Sequence, residues 1–132
     1  MSALLFAVAL TLAPAPPPAL TGYWTQDSVD CGAHVPAEPV RELYFGDDGT
    51  FKLTFTPFER YIDYWGDFTF DPAAARLNFT IDSGNLNGRP AQLEAHATVQ
   101  DGSPAHLTLE HVYLGSTADA PDGGCRYVFR KR

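Results

Sequence analysis

Apolar side chains fall on every second position in short runs along most of this chain. Leu77, Phe79 and Ile81 alternate with Asn78, Thr80 and Asp82; Phe51, Leu53 and Phe55 alternate with Lys52 and Thr54. A period of two places one set of side chains on one face of an extended strand, so these runs predict half-buried β-strands. Gly, Pro and Asp gather between the runs, as in Gly46-Asp47-Asp48-Gly49 and Asp101-Gly102-Ser103-Pro104, where the chain must reverse or take a positive φ. No segment holds the 3.6-residue period of a helix over a full helix length. Eight strands are predicted: Leu20–Thr25, Val40–Phe45, Thr50–Thr56, Tyr61–Phe70, Arg76–Asp82, Ala91–Val99, Ala105–Leu114 and Cys125–Arg130.

Eight strands joined in series, mostly by short connections, predict an all-β, antiparallel up-and-down barrel with no major helix. Closing the meander removes the unpaired edges that invite aggregation. The 132 residues suit a single core, with residues 20–132 as the barrel domain. The two cysteines agree with closure. In a closed meander the end of the first strand meets the beginning of the last; Cys31 lies just past the one and Cys125 opens the other. A disulfide between them is expected, and it implies an oxidising compartment.

The N-terminal run Met1–Ala13 is apolar for about a dozen residues, too short to span a bilayer but of the length of a signal-peptide core. Ala13, Ala15 and Ala19 offer cleavage positions, and Pro14–Pro18 reads as an extended spacer. No Lys or Arg precedes the run, which points to a start upstream of Met1 or to another kind of tail; the first is the reading taken. Residues 1–19 are thus expected to be a signal peptide with a Pro-rich segment, and the mature protein to be periplasmic or secreted, with no membrane span. Nine basic against sixteen acidic residues, a net charge of −7, argue against nucleic acid or anionic lipid as partners.

Parity places Trp24, Phe45, Phe55, Tyr64, Phe68, Phe79 and Tyr127 inside, and His111 with them near one rim, since it shares the parity of Leu107 and Leu109. Gly22, Gly66, Ala95 and Ala97 are small positions opposite these bulky ones. The same set describes a solid core or an apolar pocket with a few polar anchors. A rim histidine can orient a ligand's carboxylate or carbonyl, or can be a core histidine satisfied by its neighbours. No catalytic or metal-binding residues are assigned and no cofactor is expected. His96 and His106 take outward or turn positions, His34 sits in a loop, and the serines beyond Ser2 lie in polar loops. Asp63 and Asp67 flank Trp65 and are expected to be solvated. Tyr23, Tyr61 and Trp65 have outward parity.

The stretch Leu20-Thr21-Gly22-Tyr23-Trp24, preceded by Pro16-Pro17-Pro18, resembles the Gly-x-Trp signature on the first strand of the lipocalins. The hairpin Tyr44–Phe51 and the segment Gly66-Asp67-Phe68-Thr69-Phe70 are similar to short bacterial lipocalin-like proteins. The resemblance implies that Trp24 closes the barrel floor beneath a basic residue of the last strand, with Arg126 and Arg130 as candidates. It lacks the Thr-Asp-Tyr turn and the helix after the last strand. The function it implies is binding of a small hydrophobic ligand inside an exported barrel, without catalysis. The alternative is a protein-interaction or protease-inhibitor-type barrel using the Pro-rich N-terminus and outer aromatics.

Overall fold

The computed structural model describes residues 20–33, 39–55 and 62–132. The expected signal and Pro-rich segment, His34, Thr56 and Tyr61 lie outside them. Eight antiparallel strands close into one barrel in chain order: β1 (Gly22–Asp30), β2 (Val40–Phe45), β3 (Thr50–Phe55), β4 (Tyr64–Asp71), β5 (Arg76–Gly84), β6 (Gln92–Gln100), β7 (His106–Val112) and β8 (Cys125–Lys131). The described residues hold no α-helix, only a 3-10 turn at Thr117–Asp119.

The seam closes where the cysteines require it. β1 pairs with β8 from Trp24 opposite Lys131 to Asp30 opposite Arg126. Cys31 and Cys125 form a disulfide with Cα atoms 4.3 Å apart, across 94 residues of sequence. β1 runs past its predicted end at Thr25 because β8, rather than β2, continues to supply its ladder. Its pairing with β2 stops at Trp24 opposite Leu43. Beyond that point the Gln26 side chain spans the gap, accepting a hydrogen bond from the Val40 N–H at 2.8 Å.

Among the described residues, register shifts interrupt four of the ladders, and those on β4 and β7 bear on the predicted interior. β4 shifts register against β5 between Trp65 and Gly66. A side chain at Gly66 would collide with the carbonyl oxygen of Thr80, so β5 backbone fills the space that this small position was expected to leave open. On β7, Leu109 faces Tyr127 whereas Val112 faces Cys125, so β7 carries one extra residue. His111 takes up that slack at φ +62, and Val112 turns back into the core.

The period-two face predicted from sequence is the barrel interior. Leu43, Phe45, Phe51, Leu53, Leu77, Phe79, Leu107, Leu109 and Phe129 are all buried, and outward neighbours such as Lys52, Glu94, His96 and Arg126 are exposed. Burial on the order of 25 cal/mol per Å² of apolar surface is what holds such a barrel together.

Candidate ligand site at the mouth of the barrel

The barrel has a floor, where β1 begins, and a mouth, where the disulfide lies. Trp24 seals the floor. It is fully buried, and its Nε1–H donates to the carbonyl of Leu20, itself fully buried, at 2.8 Å. The Lys131 stem passes over Gly22, its Cε 3.2 Å from where a side chain there would begin, and its Nζ lies 5.5 Å from the Trp24 ring centroid. The basic residue over the indole is therefore Lys131 and not Arg126 or Arg130. The ladder decides this, since Trp24 stands directly opposite Lys131. Arg126 and Arg130 are exposed and pair instead with Glu110 and Asp27.

Above the floor, phenylalanine rings interlock. Phe45 and Phe68 meet edge-to-face at 4.8 Å, as do Phe51 and Phe79, and Phe45 lies 6.0 Å from Phe79. These geometries suit the ring quadrupoles and add to area burial. Phe45, Phe51, Tyr64, Leu107 and Leu109 are exposed by 1% or less, and they form a buried aromatic and aliphatic cluster.

The mouth is where polar chemistry enters. After β7, the segment Tyr113-Leu114 folds over the open end, and Leu114 is 1% exposed. Its peptide groups are held by two interior tyrosines. The Tyr64 hydroxyl donates to the Leu114 carbonyl at 2.6 Å, and the Leu114 N–H donates to the Tyr127 hydroxyl oxygen at 3.1 Å. Burial pushes the Tyr64 phenol well above the usual tyrosine range, and the nearby Tyr127, Asp63 and Tyr113 reinforce the shift. Burial likewise raises Tyr127, to about 12, although its bond from Leu114 opposes the rise. Burial and then Asp119 raise Tyr113. Ionising these phenols is therefore disfavoured, and among the described residues the buried member of the Asp, Glu, Lys, Arg and His side chains is Asp63.

Asp63 corrects an expectation. It is 3% exposed rather than solvated, and its Oδ2 accepts from the Phe55 N–H at 2.8 Å. Its carbonyl accepts from the N–H groups of Asn85 and Leu86 at 2.7 and 3.0 Å. The carboxylate thus ties the end of β3 to the start of β4 and completes a ladder that pairs only as far as Leu53 opposite Tyr64.

Of the predicted lining, Phe45, Phe68 and Phe79 meet at mid-barrel, Tyr64 and Tyr127 meet at the mouth, Trp24 lies at the floor, and Phe55 is buried beside Asp63. His111 does not join them. It is exposed, because the extra residue on β7 cancels the parity that placed it inside. It borders an open surface cleft of about 210 Å³ with Leu93, Glu94, Tyr113 and Pro121. Sequence reasoning missed Leu114; the signal available was an apolar residue directly before Gly115 at a strand end. Among the described residues no three His, Cys, Asp or Glu side chains gather in a metal-binding group.

Outside the barrel, one cross-strand row carries aromatics. Tyr23 stands opposite Tyr44, Tyr44 opposite Lys52, and Lys52 opposite Trp65. The Tyr23 and Tyr44 rings are 4.6 Å apart, and Lys52 Nζ is 5.8 Å from the Tyr44 centroid. Tyr23 is 46% exposed. No protein-family model, curated protein or solved structure matches this chain.

Proposed function

We propose that the protein is an exported, lipocalin-like, non-catalytic binder that takes a small apolar molecule into the mouth of its barrel. The observation that carries this reading is the tyrosine pair on the Leu114 peptide. Ligand sites combine apolar walls with a few convergent polar groups, and here two buried hydroxyls converge on one loop residue that is not part of the sheet. A ligand enters by displacing Leu114, and the tyrosines then satisfy it instead. The packed rings below set the depth, so the ligand is small. The Gly22-Tyr23-Trp24 segment under a basic residue of β8 supports the lipocalin-like assignment. The Cys31–Cys125 bridge supports export, since such bonds persist in oxidising compartments.

The test is titration with the uncharged fluorophore Nile red. Saturable binding is expected that strengthens when Leu114 is cut back to glycine and disappears in Leu114→Trp. Absence of saturable binding in both wild type and the glycine variant overturns the reading.

A second reading, a protein-interaction barrel, is favoured by the outward row of Tyr23, Tyr44, Lys52 and Trp65. The Pro-rich segment it also invoked lies outside the described residues. Tyr23→Ser is expected to weaken a chemical cross-link to a protein partner and to leave Nile red binding unchanged. An unaltered cross-link removes the row from consideration.

A further inference from the structure

Leu114 reaches the barrel mouth as a complete chemical group. It presents one carbonyl to a donor, one N–H to an acceptor, and a four-carbon branched chain to an apolar wall. Tyr64 uses its hydroxyl hydrogen on the carbonyl, and Tyr127 offers its hydroxyl oxygen to the N–H. Two phenols can be oriented either way by rotating their hydroxyls, but in this arrangement each is fixed by the loop peptide. We infer that Leu114 holds the place of the ligand's own head group, and that this head is an uncharged N-acyl amino-acid amide, two amides flanking a leucine-sized aliphatic chain. The inference rests on the mouth-binding reading and narrows it to a ligand class.

Charge separates this class from its nearest rivals. A free carboxylate would bring a negative charge beside two buried phenols, where no buried cation stands among the described residues. Lys131 lies at the opposite end, over Trp24. Burying an unpaired charge costs far more than burying a satisfied amide. A simple hydrocarbon fails differently. It leaves the Tyr64 hydroxyl without an acceptor in an apolar setting, and an unmade buried hydrogen bond is penalised. An N-acyl amino-acid amide satisfies both tyrosines at once, its N–H and carbonyl coming from the two amides on either side of one carbon, as those of Leu114 do. The loop's hold on Leu114 also sets the apparent affinity, because a ligand must compete with a group already tethered at the site.

The decisive comparison uses N-acetyl-L-leucinamide and N-acetyl-L-leucinate, which share a side chain and differ in charge at one end. Binding is measured by calorimetry on the intact disulfide-bonded chain, in wild type and Leu114→Gly, with Leu114→Ala as a second plug-trimmed variant should glycine prevent folding. The amide is expected to bind the trimmed variant at least about tenfold more tightly than wild type, and about tenfold more tightly than the leucinate. Tyr64→Phe or Tyr127→Phe in the trimmed background is expected to weaken the amide by about tenfold, the loss expected for one buried hydrogen bond. Equal binding of amide and leucinate, or indifference to both tyrosine changes, overturns the inference. If Nile red still binds saturably in that case, mouth binding survives and only the ligand class is wrong. If a folded trimmed variant takes up neither Nile red nor the amide, both readings fall together.

Discussion

Lys131, the last residue of β8, sets its ammonium group over the indole of Trp24, which stands directly opposite it on β1. The contact joins the two ends of the described sheet at the barrel floor, and the Trp24 Nε1–H bond to Leu20 draws the preceding chain under the same ring. Trp24→Ala empties the largest of the fully buried positions and is expected to cost about 3–5 kcal/mol. Lys131→Met keeps most of the stem and removes the charge, for a loss of about 0.5–1 kcal/mol. Urea unfolding of the two single variants and the double variant checks this: once Trp24 is gone, the Lys131 change should cost almost nothing more.

The Cys31–Cys125 bridge closes 94 residues of sequence, nearly the whole barrel. On the chain-entropy account, a loop of that length stabilises by about 4–5 kcal/mol, and measured bridges fall in a range of about 2–5. Cys31→Ser with Cys125→Ser is therefore expected to lower the unfolding free energy measured in urea by about 2–5 kcal/mol, and reduction of the wild type should do the same. A reduced chain as stable as the oxidised one would show that strand pairing alone closes the seam.

Strand positions and the bridge were legible in sequence because both depend on local regularities. Alternation marks the inward face, and chain order places Cys31 next to Cys125 once the meander closes. His111 was not legible, because parity counting assumes a regular ladder and the extra residue on β7 breaks it two positions after Leu109. The burial of Asp63 is not legible for a related reason. Its burial comes from Phe55 and the Asn85-Leu86 turn closing around it, contacts between segments that no single run encodes. Residue type alone points to Arg126 and Arg130 and not to Lys131, whereas the register of β8 on β1 selects what faces Trp24. Leu114 lies in a loop, where neither period applies.

The tyrosines at the mouth make stability fall at alkaline pH. Tyr127 is raised by burial to about 12, against an ordinary value of about 10, and Tyr64 is raised well above that range for the same reason. Both phenols bind their protons more tightly in the folded state. Their contribution is complete below the unfolded value and is lost as pH climbs through the folded one, by about 3 kcal/mol for Tyr127. Unfolding free energies measured at about pH 9 and about pH 11.5 should differ less in Tyr127→Phe than in wild type, because the variant lacks one titrating phenol. An identical pH dependence in the two proteins would place the Tyr127 hydroxyl in contact with water.

Asp63 offers the sharpest separation between a charge and a hydrogen bond. Its Oδ2 is the acceptor for the Phe55 N–H, at 2.8 Å in a buried setting, past the point where β3 and β4 pair. Asp63→Ala strands that donor, and an unsatisfied buried N–H costs about 1–3 kcal/mol. Asp63→Asn keeps a carbonyl oxygen in the same place without the charge, so it should retain most of the stability lost by the alanine change. Amide exchange adds a local readout: the Phe55 N–H should exchange much faster in Asp63→Ala and only modestly faster in Asp63→Asn, while Phe45 at mid-barrel changes little in either. Equal damage from both substitutions would mean that the negative charge itself, rather than the accepted hydrogen bond, holds β3 to β4 at the mouth.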